Sequence, residues 1–197
     1  IPKVFLDTSS LVSPDELNGD LLLMESRNSV RNITAHLLEK GRTLPGFMGD
    51  IGYAQSNRER YEGFCQALMD AGKTPNPSLC LTTPLGIDSY REEIDSFLSS
   101  LSRMPDAFVC ASDYVACILM QLLEKRGLRV PEDVAVSGFD NNIEDLLAEN
   151  LTTVQVFNEE LGSRLALQIL YRIKYPHTPH EVTYLESKVL YRASTGD

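Results

Sequence analysis

The sequence predicts an α/β protein with mainly parallel sheets flanked by helices, and three observations carry that prediction. Short apolar runs alternate with segments whose apolar residues recur at helical spacing. The connections between them are short, as in strand–helix–strand units. Several strand runs are apolar at consecutive positions, DAFVCAS (106–112) above all, as a parallel strand covered on both faces should be.

Taken in order, KVFLD (3–7) and DLLLMES (20–26) read as the first two strands. From Arg27 to Lys40 the residues Val30, Ile33, Leu37 and Leu38 fall on one helical face, and Gly41 marks the stop. TLPGFMGD (43–50) is the third strand, with Pro45 suited to a terminal or edge position. A helix follows from Ser56 to Ala71, closed by Gly72, then the strand LCLTT (79–83). Ile87 to Leu101 is helical, with Tyr90, Ile94, Phe97, Leu98 and Leu101 facing inward. After DAFVCAS come a helix from Tyr114 to Arg126, the strand VAVSGF (134–139), and a short polar helix from Asn142 to Ala148. LTTVQV (151–156), a helix from Glu159 to Ile173, and an extended VTYLESKVLYRAS (182–194) complete the chain. Ligands in such folds sit beyond the carboxyl ends of the strands, which selects Asp7, Ser112, Asp113 and Asp140.

Composition narrows the function. At 197 residues the chain can bury a real core, as one large domain or two small lobes. No apolar segment is long enough to suggest a membrane span, and the start lacks the pattern of a secretory signal. It reads as a strand already under way, with no initiating Met, which predicts a fragment or a trimmed product. The 28 acidic residues against 18 basic ones give a formal charge of -10, which duplex DNA repels. No basic recognition helix is present, so this segment is not expected to grip DNA by itself. Cys65, Cys80, Cys110 and Cys117 lack metal-type pairing and read as buried, reduced thiols of a cytoplasmic protein. His177 and His180 lie in a Pro-rich loop with no third ligand, and Cys110 has no nearby His, so metal and thiol chemistry are weak readings. No Gly-rich phosphate loop follows any strand, and no cofactor is expected.

Five blocks carry a resemblance. These are AHLLEKGR (35–42), SNRERYEGFCQALMDAG (56–72), the stretch from PDAFVCASDY through Leu128-x-Val130-Pro131-x-Asp133 to Gly138-Phe139-Asp140, LTTVQVFNEELGSRLALQIL (151–170), and LESKVLYRASTG (185–196). In this order and spacing they resemble the lactose-repressor/galactose-repressor (LacI/GalR) family of bacterial transcription regulators. The resemblance implies a type I periplasmic-binding-protein-like effector domain: two similar lobes, three crossover segments, and a ligand in the cleft between. By analogy one lobe holds residues 1–49 and 154–184, and the other 50–153 and 185–197. The hinges then fall near Asp50, Thr153 to Val156, and Leu185. The family has a DNA-binding headpiece and several first-lobe elements ahead of anything like IPKVFLD. The first sheet is therefore expected to have unpaired edges, unless a partner chain covers them.

The resemblance also implies a site. Asp140 matches the ligand-binding aspartate, with capping of the helix from Asn142 as its other reading. Arg60, four residues before Phe64, matches the ligand-binding arginine, whose fork complements hydroxyls held by a carboxylate. Ser56 matches a contact position, and an N-cap role stays equally open for it. Ser112 stands where many members carry Asn and can bond one hydroxyl. Asn28 is a candidate contact from the first lobe. The aromatic that often follows the LCLTT strand is replaced near Pro84, which points to a different ligand or another wall. The implied partners are a small-molecule effector (sugar, sugar phosphate or nucleoside), a second copy in a homodimer, and operator DNA through a headpiece outside this chain. An enzyme is not expected. A sugar-binding protein serving a transporter is the alternative, and an acidic cluster of Asp7, Asp113 and Asp140, as in receiver domains, is a weaker one.

Overall fold

The computed structural model describes residues 1–86, 88–141 and 149–197. Ile87, where one helix was expected to begin, and the short helix expected from Asn142 to Ala148 lie outside them.

Strands β1 (Val4–Leu6), β2 (Asp20–Met24) and β8 (Val182–Leu185) form a parallel sheet in the order β1-β2-β8. A second parallel sheet has the order β4-β3-β5-β6, from Cys80–Leu81, Pro45–Met48, Ala107–Cys110 and Ala135–Ser137. The period-two alternation of β5 shows why its sequence is apolar throughout. Phe108 and Cys110 face a core with Ile94 and Leu98 of α3 (Tyr90–Ser100) and Leu119 and Leu123 of α4 (Asp113–Lys125). Ala107 and Val109 face the opposite core, with Val30, Ile33 and Leu37 of α1 (Arg27–Glu39) and Phe64 and Leu68 of α2 (Gln55–Asp70).

This arrangement corrects one expectation. Residues 26–49 were assigned to the first lobe, yet α1 and β3 belong to the layers of the second sheet. Pro45–Met48 pair residue by residue with Ala107–Cys110, and the apolar stripe of α1 packs against Phe47 and Phe64. Sheet membership changes after Met24 rather than near Asp50. Pro45 opens β3, where its missing N–H does no harm to an internal strand.

Among the described residues the chain passes between the sheets at three places: after Met24, between β7 (Thr153–Gln155) and α5 (Asn158–Lys174), and between β8 and β9 (Lys188–Leu190). β7 and β9 pair antiparallel. A 3-10 turn at Ala193–Thr195 then locks the crossover to the second sheet. The Ser194 hydroxyl donates to the Val136 carbonyl (2.6 Å) and accepts from the Thr152 N–H (2.8 Å), while the Thr152 and Thr195 hydroxyls bond at 2.6 Å. The Leu-Thr-Thr and Arg-x-Ser-Thr motifs are two halves of one clamp. In the first sheet, β1 and β8 are the edges, and α5 lies against it through a buried ion pair of Arg172 with Asp20.

Candidate functional site

A cleft of about 750 Å³ lies between the two sheets, lined by Leu6, Asp7, Met24, Ser56, Arg60, Asp140, Asn141, Val156, Asn158 and Leu161. Its polar side chains come from strand ends and helix starts, where an α/β fold places ligands.

Asp7 follows β1 with a left-handed backbone (φ 57°). Its carboxylate accepts the Thr8 N–H (2.7 Å), the Ser56 N–H (3.4 Å) and the Ser56 hydroxyl (2.6 Å). The N-cap of α2 is Ala54, which offers no side-chain acceptor, so Asp7 supplies from the other sheet the carboxylate that a helix N-terminus favours. Ser56 is therefore not an N-cap. It lies inside the first turn of α2 and ties the two sheets together at the cleft. Two further bonds span the same boundary: the Gln55 N–H donates to the Thr8 carbonyl (2.7 Å), and the Tyr184 hydroxyl donates to Glu59 (2.8 Å). Burial, with that bond to Glu59, pushes the Tyr184 phenol up to about 12.

Arg60, two turns into α2, is 6% exposed. Its guanidinium lies over the Phe139 ring, with Cζ 3.6 Å from the centroid. Nη1 donates to the Ala111 carbonyl and to Asn57 Oδ1 (3.3 Å), Nη2 stands 3.8 Å from Asp140 Oδ1, and Nε has no hydrogen-bond partner. Burial lowers the Arg60 pKa, and the carboxylates of Asp140, Asp7, Asp113 and Glu59 oppose that shift. A guanidinium keeps its charge under such conditions.

Asp140 follows β6 and extends the sheet by donating its N–H to the Val154 carbonyl (3.1 Å). It and Asn141 both have positive φ, 111° and 52°. Such conformations cost about 1–3 kcal/mol each and concentrate at binding sites. The Asp140 side chain is 44% exposed, and among the described residues its carboxylate accepts no hydrogen bond. Desolvation raises its pKa, with Arg60 pulling the other way. Asn141 is wired behind the cleft: it bonds Gln155 through its side-chain amide, accepts from Arg192 (2.8 Å), and donates its N–H to Thr153 Oγ1 (3.2 Å).

Three of the five candidate residues, Ser56, Arg60 and Asp140, therefore meet in the cleft. Ser112 does not line it; its hydroxyl accepts the Val115 N–H (3.3 Å) as the N-cap of α4. Asn28 does not either, being exposed on the first turn of α1, where its N–H donates to Glu25 (2.6 Å). Asp113 is buried beneath, accepting from Thr153 Oγ1 (2.6 Å), and does not line the cleft that Asp7 and Asp140 share. Burial holds the Cys110 thiol well above its usual range, as a protonated core group. Among the described residues no group of His, Cys, Asp or Glu is arranged to hold a metal ion, and no helix is long and apolar enough to cross a membrane. Asn141 and Asn158 were not anticipated. The strand-end rule that selects Asp140 reaches Asn141 one residue further on, and Asn158 when applied beyond β7.

Comparisons with known proteins agree with this architecture. A model of the periplasmic binding protein-like domain matches residues 34–195. The HTH-type transcriptional repressor PurR of Aliivibrio salmonicida is 28% identical over 196 residues, 98% of this chain and 57% of the repressor. A protein from Sanguibacter keddieii, described as a transcriptional regulator of the LacI family, superposes with a TM-score of 0.84 at 27% identity, over 100% of this chain and 72% of its own. The complex of the transcriptional regulator CelR with cellobiose superposes at 0.79 and 27% identity, over 89% and 54%. The chain spans little more than half the length of the first curated relatives it matches, 57–58%.

Proposed function

Because this chain belongs to the periplasmic binding protein-like domain family, in the form carried by LacI/GalR-type transcription regulators, we propose that its cleft binds a small polar metabolite, a sugar or sugar derivative, whose occupancy controls DNA binding elsewhere in the protein. The observation that carries this reading is the convergence of Arg60 and Asp140 on one cavity that also takes Asp7 from the other sheet. A guanidinium fork and carboxylates supply the donors and acceptors that a ring of hydroxyls needs. The cellobiose bound by CelR, a 27% identical neighbour, supports a sugar as ligand class.

In this reading the lobes are residues 1–25 with 157–186, and 26–156 with 187–197. Ligand favours one relative orientation of the lobes by its differential affinity for the two, and a dimer carries that shift to DNA-binding headpieces outside this chain. The function is regulatory and cytoplasmic, with no catalytic step. The relatives described above are transcription regulators, which favours this over a transporter's sugar-binding protein.

A thermal-shift panel of sugars and nucleosides tests it, because a ligand at a hundred times its Kd stabilises the fold by about 2.7 kcal/mol. Calorimetry on the hits then compares Asp140→Asn and Arg60→Lys. Each is expected to weaken binding by about tenfold or more, since a lone ammonium cannot reproduce the fork. Asp140→Asn should leave the melting temperature of the free protein unchanged. A panel without hits, or hits held equally well by both variants, overturns the reading.

A further inference from the structure

The charges around the cleft limit what it can hold. Of its lining residues Asp7 and Asp140 are acidic and Arg60 alone is basic. Its Nη1 is engaged by the Ala111 carbonyl and Asn57, its Nη2 faces Asp140, and the buried carboxylates of Glu59 and Asp113 lie close behind it. Of the helix N-termini at the cleft, that of α2 is filled by the Asp7 carboxylate, and that of α5, which opens at Asn158, carries Glu159 and Glu160 in its first turn. A phosphate brings about two negative charges and needs free N–H donors or an arginine cluster. None remains here.

The cleft does offer the complement. Asp140 presents a half-exposed carboxylate that accepts no hydrogen bond among the described residues and faces Arg60 Nη2 at 3.8 Å, a loose ion pair. A ligand covering it must repay the loss of its water, which hydroxyl groups do in part and a positive charge does better. Arg60 lines the same cavity, more than nine-tenths buried, with an Nε–H that has no partner and suits a hydroxyl oxygen.

We propose that the ligand is a polyhydroxylated compound carrying an ammonium group, an amino sugar, with the ammonium against Asp140 and Asp7 and a hydroxyl accepting from Arg60. This inference rests on the reading of the cleft as an effector site.

The test titrates the 197-residue chain with matched hexoses, hexosamines and hexose 6-phosphates in gluco, galacto and manno configurations, by calorimetry and ligand-observed NMR. At least one hexosamine is expected to bind about tenfold or more tighter than its hexose, with no binding by the phosphate. Added salt should narrow that preference, and Asp140→Asn should remove it while shifting hexose affinity less. Equal affinity for hexose and hexosamine, or tighter binding of a phosphate, overturns the amino-sugar assignment and leaves the effector site standing. Absence of binding by every compound at tens of millimolar overturns both.

Discussion

At the scale of single residues, the charged groups divide into those the sequence reveals and those only the packing explains. Arg60 and Asp140 are visible because each sits in a short motif with a fixed relation to an element boundary. The partnership of Asp7 with Ser56 is not visible, because it depends on how two sheets meet rather than on spacing within either. The pair of Asp20 and Arg172 is hidden for the same reason, since one comes from β2 and the other from α5. Together they are almost fully enclosed, and Asp20 also accepts from Gln168 (2.9 Å) and from the Glu181 N–H (2.9 Å). Burial alone would raise the Asp20 pKa, but the bonds from Arg172, Gln168 and Glu181 bring it below the ordinary value. A carboxyl depressed in the folded state contributes stability above its unfolded pKa of about 3.9 and loses it as pH falls through the folded value. Asp20→Asn should therefore lower the urea midpoint at pH 7 and flatten the acid limb of the stability curve. An acid limb of unchanged steepness would assign that sensitivity to other carboxylates. Arg172→Met should lower the midpoint at neutral pH too, because it strands Asp20 in the interior.

At the scale of elements, periodicity locates the five described α-helices and the strands of the two parallel sheets, but it reads Val182–Leu185 and Lys188–Leu190 as one extended run and gives no sign of the 3-10 turns. What periodicity cannot give is pairing. β3 reads as a strand from its own residues, but its neighbours β4 and β5 come from far along the chain, so its own pattern does not say which sheet it joins. The motif of Arg60, Gly63 and Phe64 illustrates how one helix serves two purposes. Arg60 reaches the cleft, Phe64 is fully buried under β3, and Gly63 lets α2 approach the start of α1. A Cβ at Gly63 would stand 2.1 Å from the Arg27 carbonyl oxygen, which is backbone and cannot swing aside. Gly63→Ala is accordingly expected to cost about 1–3 kcal/mol, as overpacking does. Because α2 carries Arg60 and Ser56, the same variant should also weaken effector binding. A urea melt indistinguishable from the parent would show that the helices separate without cost. The crossover clamp is a second element-level prediction. Ser194→Ala leaves the Val136 carbonyl and the Thr152 N–H buried without their partner, for an expected loss of about 1–3 kcal/mol in the same measurement.

At the scale of the whole molecule, the second sheet is covered by helices on both faces, and the first is not enclosed in the same way. The buried positions of α5 include Gln168 and Arg172, while Leu167, Leu170 and Ile173 on its other side are 57–61% exposed. Leu6, Val182 and Tyr184 on the edge strands are about half exposed as well. The sequence foretold unpaired edges in this sheet from the family's usual layout, but it could not tell that the outer face of α5 would be apolar, since Gln168 and Arg172 look like the solvent side. An apolar face of this kind promotes association, whereas a net charge of -10 opposes it by repulsion. The balance gives a signed prediction. Self-association of the isolated chain should strengthen as salt screens the repulsion, opposite to an association held by ion pairs. Replacing Leu170 with Glu and Ile173 with Lys, which places opposite charges three residues apart on one helical face, should abolish it without lowering the unfolding midpoint, because neither side chain is in the core. Sedimentation velocity across a salt series reads both effects. A parent chain that stays monomeric at every salt concentration, or one that dissociates as salt is added, would show that this face does not drive association.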